Sequence, residues 1–307
     1  MRLLQTLIDH IYRFPKAKQK TIKRFGGHGS YYKMMQGKRL MQKASESLPA
    51  INSDPLGFKI YFLTGKSHIY QTLFCAFSLC KTSEEKFQFI LIDDGSFTPK
   101  IIKKIYQRMP GVKIITSKEV DQNLQRVLPI ERFPYLHHKR EVYPHIRKLT
   151  DVHSLPERGF KLVLDSDMLF WKNPTEITDW LKKPIGSIHM LDCVESYGYP
   201  KESMSQLCRC KIPDLVNVGV LGLDSAIINW VEIEKWSKNL EKNGASYFLE
   251  QALSAMLIAK EKRIALNNNE YVVNPNPSER NIDSVKLCHY VDLSKKQYLN
   301  SEWKKIL

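Results

Sequence analysis

Two hydrophobic periods alternate along this chain. Short apolar runs bounded by turn residues occupy 58–63, 87–92, 112–116, 161–165, 185–191 and 216–224. Such runs read as strands, most of them covered on both faces. Between them apolar positions return at helical spacing over 69–79, 99–109, 173–181, Trp230–Leu240 and 247–259, and over 135–150 with a break at Pro144. Strands alternating with helices predict an α/β fold with a mostly parallel sheet and right-handed crossovers. Ligands of such sheets bind beyond the carboxyl ends of the strands. Thr64-Gly65, Asp93-Asp94 and Asp165-Ser166-Asp167 all follow strands directly, so the three polar turns are expected to share one rim. Residues 194–214, with two prolines and little periodicity, read as a long loop, mobile or substrate-facing.

The run 160–171 organises the rest. Its apolar part, Leu162 to Leu164, leads straight into Asp165 and Asp167, and apolar residues resume at once. Buried carboxylates without partners are heavily penalised, and positions i and i+2 of an extended segment point the same way. The pair therefore suits the presentation of oxygen ligands to a hard divalent cation, Mn²⁺ or Mg²⁺. So short a pattern equally suits two turn residues that merely end a strand.

Charge changes the picture at one end. The 307 residues carry a formal net charge of +15, and residues 1–50 hold eleven Lys and Arg against Asp9 and Glu46, or +9 of that excess. Leu3, Leu4, Leu7, Ile8, Ile11 and Tyr12 predict an amphipathic helix over 2–14 ended by Pro15, with a basic, glycine-containing stretch to Arg39 behind it. Residues 1–45 fit peripheral contact with an anionic membrane, or a helix packed on the main domain with solvated charges. Nothing there resembles a nucleic-acid module, and no nucleic-acid partner is expected. The expected division is an arm at 1–50 and a main domain at 51–307. The six cysteines, at 75, 80, 193, 208, 210 and 288, lack metal-clip spacing and read as reduced thiols of a cytoplasmic protein, peripheral on the inner face of a membrane. No apolar run reaches the about 18 residues that a spanning helix needs, and Asp9 and His10 interrupt what a signal peptide would keep apolar.

Several stretches together resemble a known family. Val-Leu-Asp-Ser-Asp-Met-Leu-Phe-Trp-Lys-Asn-Pro at 163–174, Val-Asn-Val-Gly-Val-Leu-Gly-Leu-Asp at 216–224, Leu-Glu-Gln-Ala-Leu at 249–253 and Cys-His-Tyr at 288–290 are similar to the motifs of GT-A-type nucleotide-sugar glycosyltransferases. The likeness is greatest to glycosyltransferase family 8, over roughly residues 56–300. Val218 stands where that family has serine, its late His-x-x-Gly with Lys-Pro-Trp is absent, and Leu-Ile-Asp-Asp-Gly-Ser at 91–96 looks more like the inverting family 2 enzymes.

The resemblance implies a Rossmann-like GT-A sheet and metal-dependent transfer from a nucleotide sugar, UDP-linked, to a glycan or lipid-linked acceptor. Asp165 and Asp167 would hold the cation, one of them through water or the ribose, with His289 as third ligand. Lys295 or Lys296, and Arg147 or Lys148, would neutralise the phosphates, while Thr64, Gly65, Asp94 and Ser166 would line the nucleotide. Gln251 and Glu250 would stabilise the sugar or orient the acceptor, although a glutamate near a helix N-terminus also answers the macrodipole. Asp192 suits a base or a sugar-hydroxyl ligand, and equally a strand-ending turn. Two other functions fit parts of the sequence. One is a sugar-nucleotide nucleotidyltransferase, whose early glycine-rich loop is poorly matched by residues 63–68. The other is a non-catalytic basic protein acting through residues 1–45.

Overall fold

The structure, a computed structural model, describes residues 14–276 and 284–307. The amphipathic helix expected over 2–14 lies almost wholly outside the described residues. The described chain opens with two helices, α1 (Phe14–Arg24) and α2 (Gly27–Ser45). Strands and helices then alternate: β1 (Phe58–Thr64), α3 (Ile69–Thr82), β2 (Phe87–Asp93), α4 (Pro99–Arg108), β3 (Lys113–Ile115), α5 (Ser117–Val127), α6 (Pro134–Val142), α7 (Arg147–His153) and β4 (Phe160–Leu164). There follow β5 (Met168–Phe170), α8 (Thr175–Lys182), β6 (Ser187–Leu191), α9 (Lys201–Cys208), β7 (Val216–Asp224), α10 (Trp230–Leu240) and α11 (Leu249–Ile258). The chain closes with β8 (Arg263–Ala265), β9 (Tyr271–Val273), β10 (Leu287–His289) and α12 (Lys295–Asn300).

Seven strands form one sheet in the order β3-β2-β1-β4-β7-β6-β8, and β5, β10 and β9 form a second. In the larger sheet β7 alone runs antiparallel to its neighbours. The apolar runs are continuous because alternate residues feed two different cores. Ile60, Phe62, Phe89, Leu91, Leu162 and Leu164 pack into one core with α3, α4 and the small sheet. Tyr61, Ile90, Ile92 and Val163 point into the other, with α5, α7, α10 and α11. Burying each such side chain fully contributes about 1.5–3 kcal/mol, so both faces are committed.

The structure adds to the expectations in three places. The basic stretch from Lys16 to Arg39 forms α1 and α2 with a turn at 25–26 between them, and Pro15 lies in the first turn of α1. Helix α2 is held down by buried Met34 and Met41, and by Gly37, where a Cβ would fall 2.2 Å from the Leu299 carbonyl oxygen. The expected loop at 194–214 contains α9, which buries Met204 and Cys208 four positions apart. The small sheet is absent from the sequence pattern, since its three-residue strands are too short to show a period.

That small sheet redirects the chain at the two aspartates. The main sheet ends at Leu164, the chain bends through Asp165–Asp167, and β5 starts a different sheet at Met168. The two aspartates thus sit in a bend between sheets, not on an extended strand, so simple i, i+2 alternation is not what aims them.

Candidate metal centre and its rim

The parallel register brings the polar turns together. Thr64 pairs with Asp93, and the Asp94 N–H donates to the Thr64 carbonyl at 3.0 Å. A Cβ on Gly65 would fall 2.0 Å from the Asp94 carboxylate, so a larger residue there would push the Asp94 side chain out of its present place. The Thr64, Thr72 and Ser166 hydroxyls form a chain with 2.8 Å between each pair, tying β1 to the Asp165–Asp167 bend. Arg147 donates to the Asp94 carbonyl at 2.8 Å. Asp93 instead accepts the backbone N–H groups of Gly95, Ser96 and Phe97, which fixes its own loop.

His289 reaches the bend through the small sheet. In the antiparallel β5–β10 ladder His289 lies opposite Met168, and the Tyr290 N–H donates to the Asp167 carbonyl at 2.9 Å. That register sets an imidazole one residue from the second aspartate, although the two are far apart in sequence. Its ring lies flat on β7, where a Cβ on Gly219 would fall 2.4 Å from His289 Nδ1. Glycine at 219 is therefore required by close approach, not by its backbone angles.

The bend has a definite polarity. Asp165 turns Oδ1 to the Lys148 ammonium at 2.8 Å, and Asp167 turns Oδ2 to the Lys295 ammonium at 3.2 Å. The other oxygens, Asp165 Oδ2 and Asp167 Oδ1, face His289 Nε2 at 3.5 and 3.3 Å. Nε2 is buried and makes no hydrogen bond. One ligand atom from each of Asp165, Asp167 and His289 lies within 4.8 Å of the others. Two carboxylate oxygens and one imidazole nitrogen, with an unsatisfied buried donor atom among them, fit a divalent cation of hard to borderline character.

The charges around the bend respond accordingly. Burial alone would raise the Asp167 carboxyl, but the His289 ring and Lys295 outweigh it and hold the group well below the usual carboxylate range. Burial would lower the Lys148 ammonium, and the charges of Asp165 and Glu250 push it up instead. Glu250 goes the other way. Burial lifts its carboxyl to about 7, against the opposing charge of Lys148 and with Asp165 adding to the rise.

On the far side, Asn217, Asp192 and Gln251 form a buried amide–carboxylate cluster. Asp192 Oδ2 accepts from Asn217 Nδ2 and Gln251 Nε2, both at 3.1 Å, and Gln251 Nε2 also donates to the Val216 carbonyl at 2.8 Å. Strand β6 pairs with β7 irregularly here: His189 lies opposite Leu221 but Met190 opposite Asn217. Val218, Gly219 and Val220 are thus left without partners on β6, a bulge beside the site that aims Asn217 towards His289. The Val218 carbonyl exposed by the bulge accepts from Lys148 Nζ at 2.8 Å.

Of the residues proposed from the sequence for the metal and the phosphates, Asp165, Asp167, His289, Lys148 and Lys295 lie together here, and Arg147 reaches the rim at the Asp94 carbonyl. Lys295 pairs with Asp167, whereas Lys296 Nζ lies near Gly26 at the α1–α2 turn. Sequence reasoning missed Thr72 and Asn217. Nothing marks Thr72, which lies inside an apolar helix. Asn217 is visible in the sequence as an amide inside an apolar strand, two positions before Gly219, but nothing in the sequence gives its partners.

This sheet, with polar turns gathered at its carboxyl edge, has the Rossmann-like architecture of the GT-A glycosyltransferases. Among solved structures it is similar to the galactosyltransferase LgtC in complex with donor and acceptor sugar analogues, with a TM-score of 0.53 at 13% identity over 81% of this chain and 100% of that one. It is also similar to the bifunctional glycosyltransferase WbbM, with a TM-score of 0.51 at 11% identity over 82% of this chain. The match spans 52% of WbbM, about half its length. No protein-family model and no curated protein matches the sequence. At such identities the likeness concerns the fold.

Proposed function

We propose that the chain is a metal-dependent glycosyltransferase, related to family 8, that moves a sugar from a UDP-linked donor to a hydroxyl of a glycan or lipid-linked saccharide. The observation that carries this reading is the convergence of Asp165 Oδ2, Asp167 Oδ1 and an unsatisfied His289 Nε2 at the carboxyl edge of a parallel sheet. Sugar–diphosphate cleavage builds negative charge on the leaving phosphate and an oxocarbenium-like sugar. A divalent cation, when bound, supplies Lewis-acid charge at that leaving group. Asp165, Asp167 and His289 would hold it, with Lys148 and Lys295 fixing the outward carboxylate oxygens. Lys295, whose side chain is 45% exposed, would exchange its Asp167 contact for a phosphate when the donor binds. Thr64, Gly65, Asp94 and Ser166 form the edge on which base and ribose would lie. Glu250, titrating near neutrality in a buried position beside Lys148, suits proton exchange with a sugar hydroxyl. Gln251, whose Nε2 is held by Asp192 and the Val216 carbonyl, would turn its amide oxygen to the sugar, with Asp192 beside it as support or as a sugar-hydroxyl ligand.

The arm fits a peripheral role. Residues 14–45 hold nine Lys and Arg and no acid. The outer face of α2 exposes Lys33, Arg39 and Lys43 together with Tyr32 at 61% and Leu40 at 53%, a mixture suited to anionic headgroups. The six free cysteines suit a reducing compartment, and the reading places the enzyme in the cytoplasm on an inner membrane face. Co-sedimentation with anionic but not neutral phosphatidylcholine vesicles tests that placement, and equal binding to both contradicts it.

Calorimetric titration of UDP tests the activity reading. Binding is expected with Mn²⁺ present and lost with EDTA or in Asp165→Ala/Asp167→Ala. Binding of UDP that ignores both metal and aspartates would sink it. The nucleotide-sugar nucleotidyltransferase alternative predicts release of pyrophosphate from UTP and a sugar phosphate, which this reading does not.

A further inference from the structure

The cluster on the far side of the imidazole has a direction. Asp192 Oδ2 can only accept, so the atom of Asn217 facing it at 3.1 Å is the Nδ2 donor. Independently, the Gly219 N–H donates to the other amide atom at 2.9 Å, which must therefore be the oxygen. These two contacts leave the Asn217 amide a single orientation. Its Oδ1 lies 3.1 Å from His289 Nδ1 and has no proton to give, so Nδ1 carries the hydrogen. Nε2 is then the nitrogen turned to Asp165 and Asp167.

We propose that Asp192 and Asn217 are positioning residues: the Asp192 carboxylate fixes the Asn217 amide, which locks His289 with its proton on Nδ1 and aims Nε2 into the cleft between the two aspartates. This rests on the metal reading above and extends it by assigning work to two residues that supply none of its three ligand atoms. Partners that orient a ligating histidine are commonly worth about 10–100-fold in metal affinity. The bulge in β7 and the missing Cβ at Gly219 belong to the same device, since they let Asn217 and the ring meet side by side.

The test uses the full chain and Mn²⁺ alone. Asn217→Leu keeps the size of the side chain and removes the acceptor, and its Mn²⁺ dissociation constant should rise about 10–100-fold in calorimetry. Asp192→Asn, two hydrogen bonds from the ring, should weaken Mn²⁺ by a smaller factor while thermal unfolding stays near wild type. A purely structural role would not alter the imidazole itself, so the Zn²⁺-loaded, ¹⁵N-labelled protein supplies the second readout. Wild type should show a slowly exchanging proton on His289 Nδ1 that is lost in Asn217→Leu. If Asn217→Leu does not fold, Asp192→Asn decides. Wild-type Mn²⁺ affinity and an unchanged Nδ1 proton in the variants would overturn the relay alone, whereas a wild type that binds no Mn²⁺ would overturn the metal reading with it.

Discussion

Two charged clusters of the molecule differ in one respect. Around α6 and α10, Lys139 pairs with Glu241 at 2.8 Å with side chains 6% and 4% exposed. Glu241 also accepts from the Tyr135 and Tyr199 hydroxyls. Glu234 receives the Tyr135 and Leu136 N–H groups at 3.0 and 2.9 Å, closing the first turn of α6. Each carboxylate oxygen there has a donor. Around Asp165, Asp167 and His289 the charges are as dense, yet Nε2 has no hydrogen bond and two carboxylate oxygens face it. Burial of charge is common to both; an unsatisfied, convergent donor set is particular to the second. The first cluster pins helices together, and the second keeps its capacity for a ligand.

The largest expected effect falls on the saturated cluster. Lys139→Met strands the Glu241 charge and should cost about 3–5 kcal/mol of folding stability in chemical denaturation, with Mn²⁺ affinity unchanged. A loss of metal binding without a loss of stability would erase the distinction between the clusters.

Next comes the pH dependence that the open cluster imposes. Glu250 has a folded value of about 7 against 4.5 for an ordinary glutamate. Between those values the folded chain holds a proton that the unfolded chain has released. The Glu250 contribution to stability therefore falls as pH rises through that window, by an amount on the order of 3 kcal/mol, and levels off above it. Burial pushes the imidazoles of His68, His145, His153 and His189 down, and their contributions grow with pH over the same range. The quantity to read is therefore the difference between wild type and Glu250→Gln in denaturation curves from pH 4.5 to 8, with wild type expected to lose stability relative to the variant as pH rises. A wild-type slope matching that of the variant would mean that Glu250 is ordinary.

The smallest effect separates two glycines of one strand. Gly219→Ala sets a methyl 2.4 Å from the His289 ring, and Gly222→Ala sets one 2.5 Å from Trp180 and Ile188. Both should cost about 1–3 kcal/mol of stability as overpacking, but only Gly219→Ala should also weaken Mn²⁺ binding. Equal metal affinity in the two would detach β7 from the site.

The same contrast explains what could be read from the sequence. Six of the seven strands of the main sheet were legible as apolar runs bounded by turn residues, whereas β8, three exposed residues at the sheet edge, carries no such run. Asp165 and Asp167 stood out because acids close an apolar run there, and the shared rim with Thr64 and Asp94 followed from parallel topology. What brings His289 to them was not legible, since β5 and β10 are three residues each and their pairing joins segments far apart in sequence. His289 itself was reached only through a family resemblance. Asn217 escapes a reading of the sequence because its importance lies in which atom faces Asp192, a fact of geometry. The helical arm defeats such a reading because its glycines and Pro15 look like breakers, yet Gly37 is the contact point where α2 meets the backbone of Leu299.

The central claim is that the open cluster is a divalent-cation site, and the most direct measurement is an electron paramagnetic resonance titration of free Mn²⁺ with the purified chain. One tightly bound Mn²⁺ per wild-type chain, absent in Asp165→Ala/Asp167→Ala folded to wild-type content of secondary structure, is the predicted result. Equal binding by wild type and variant, or no binding by the wild type, would contradict it.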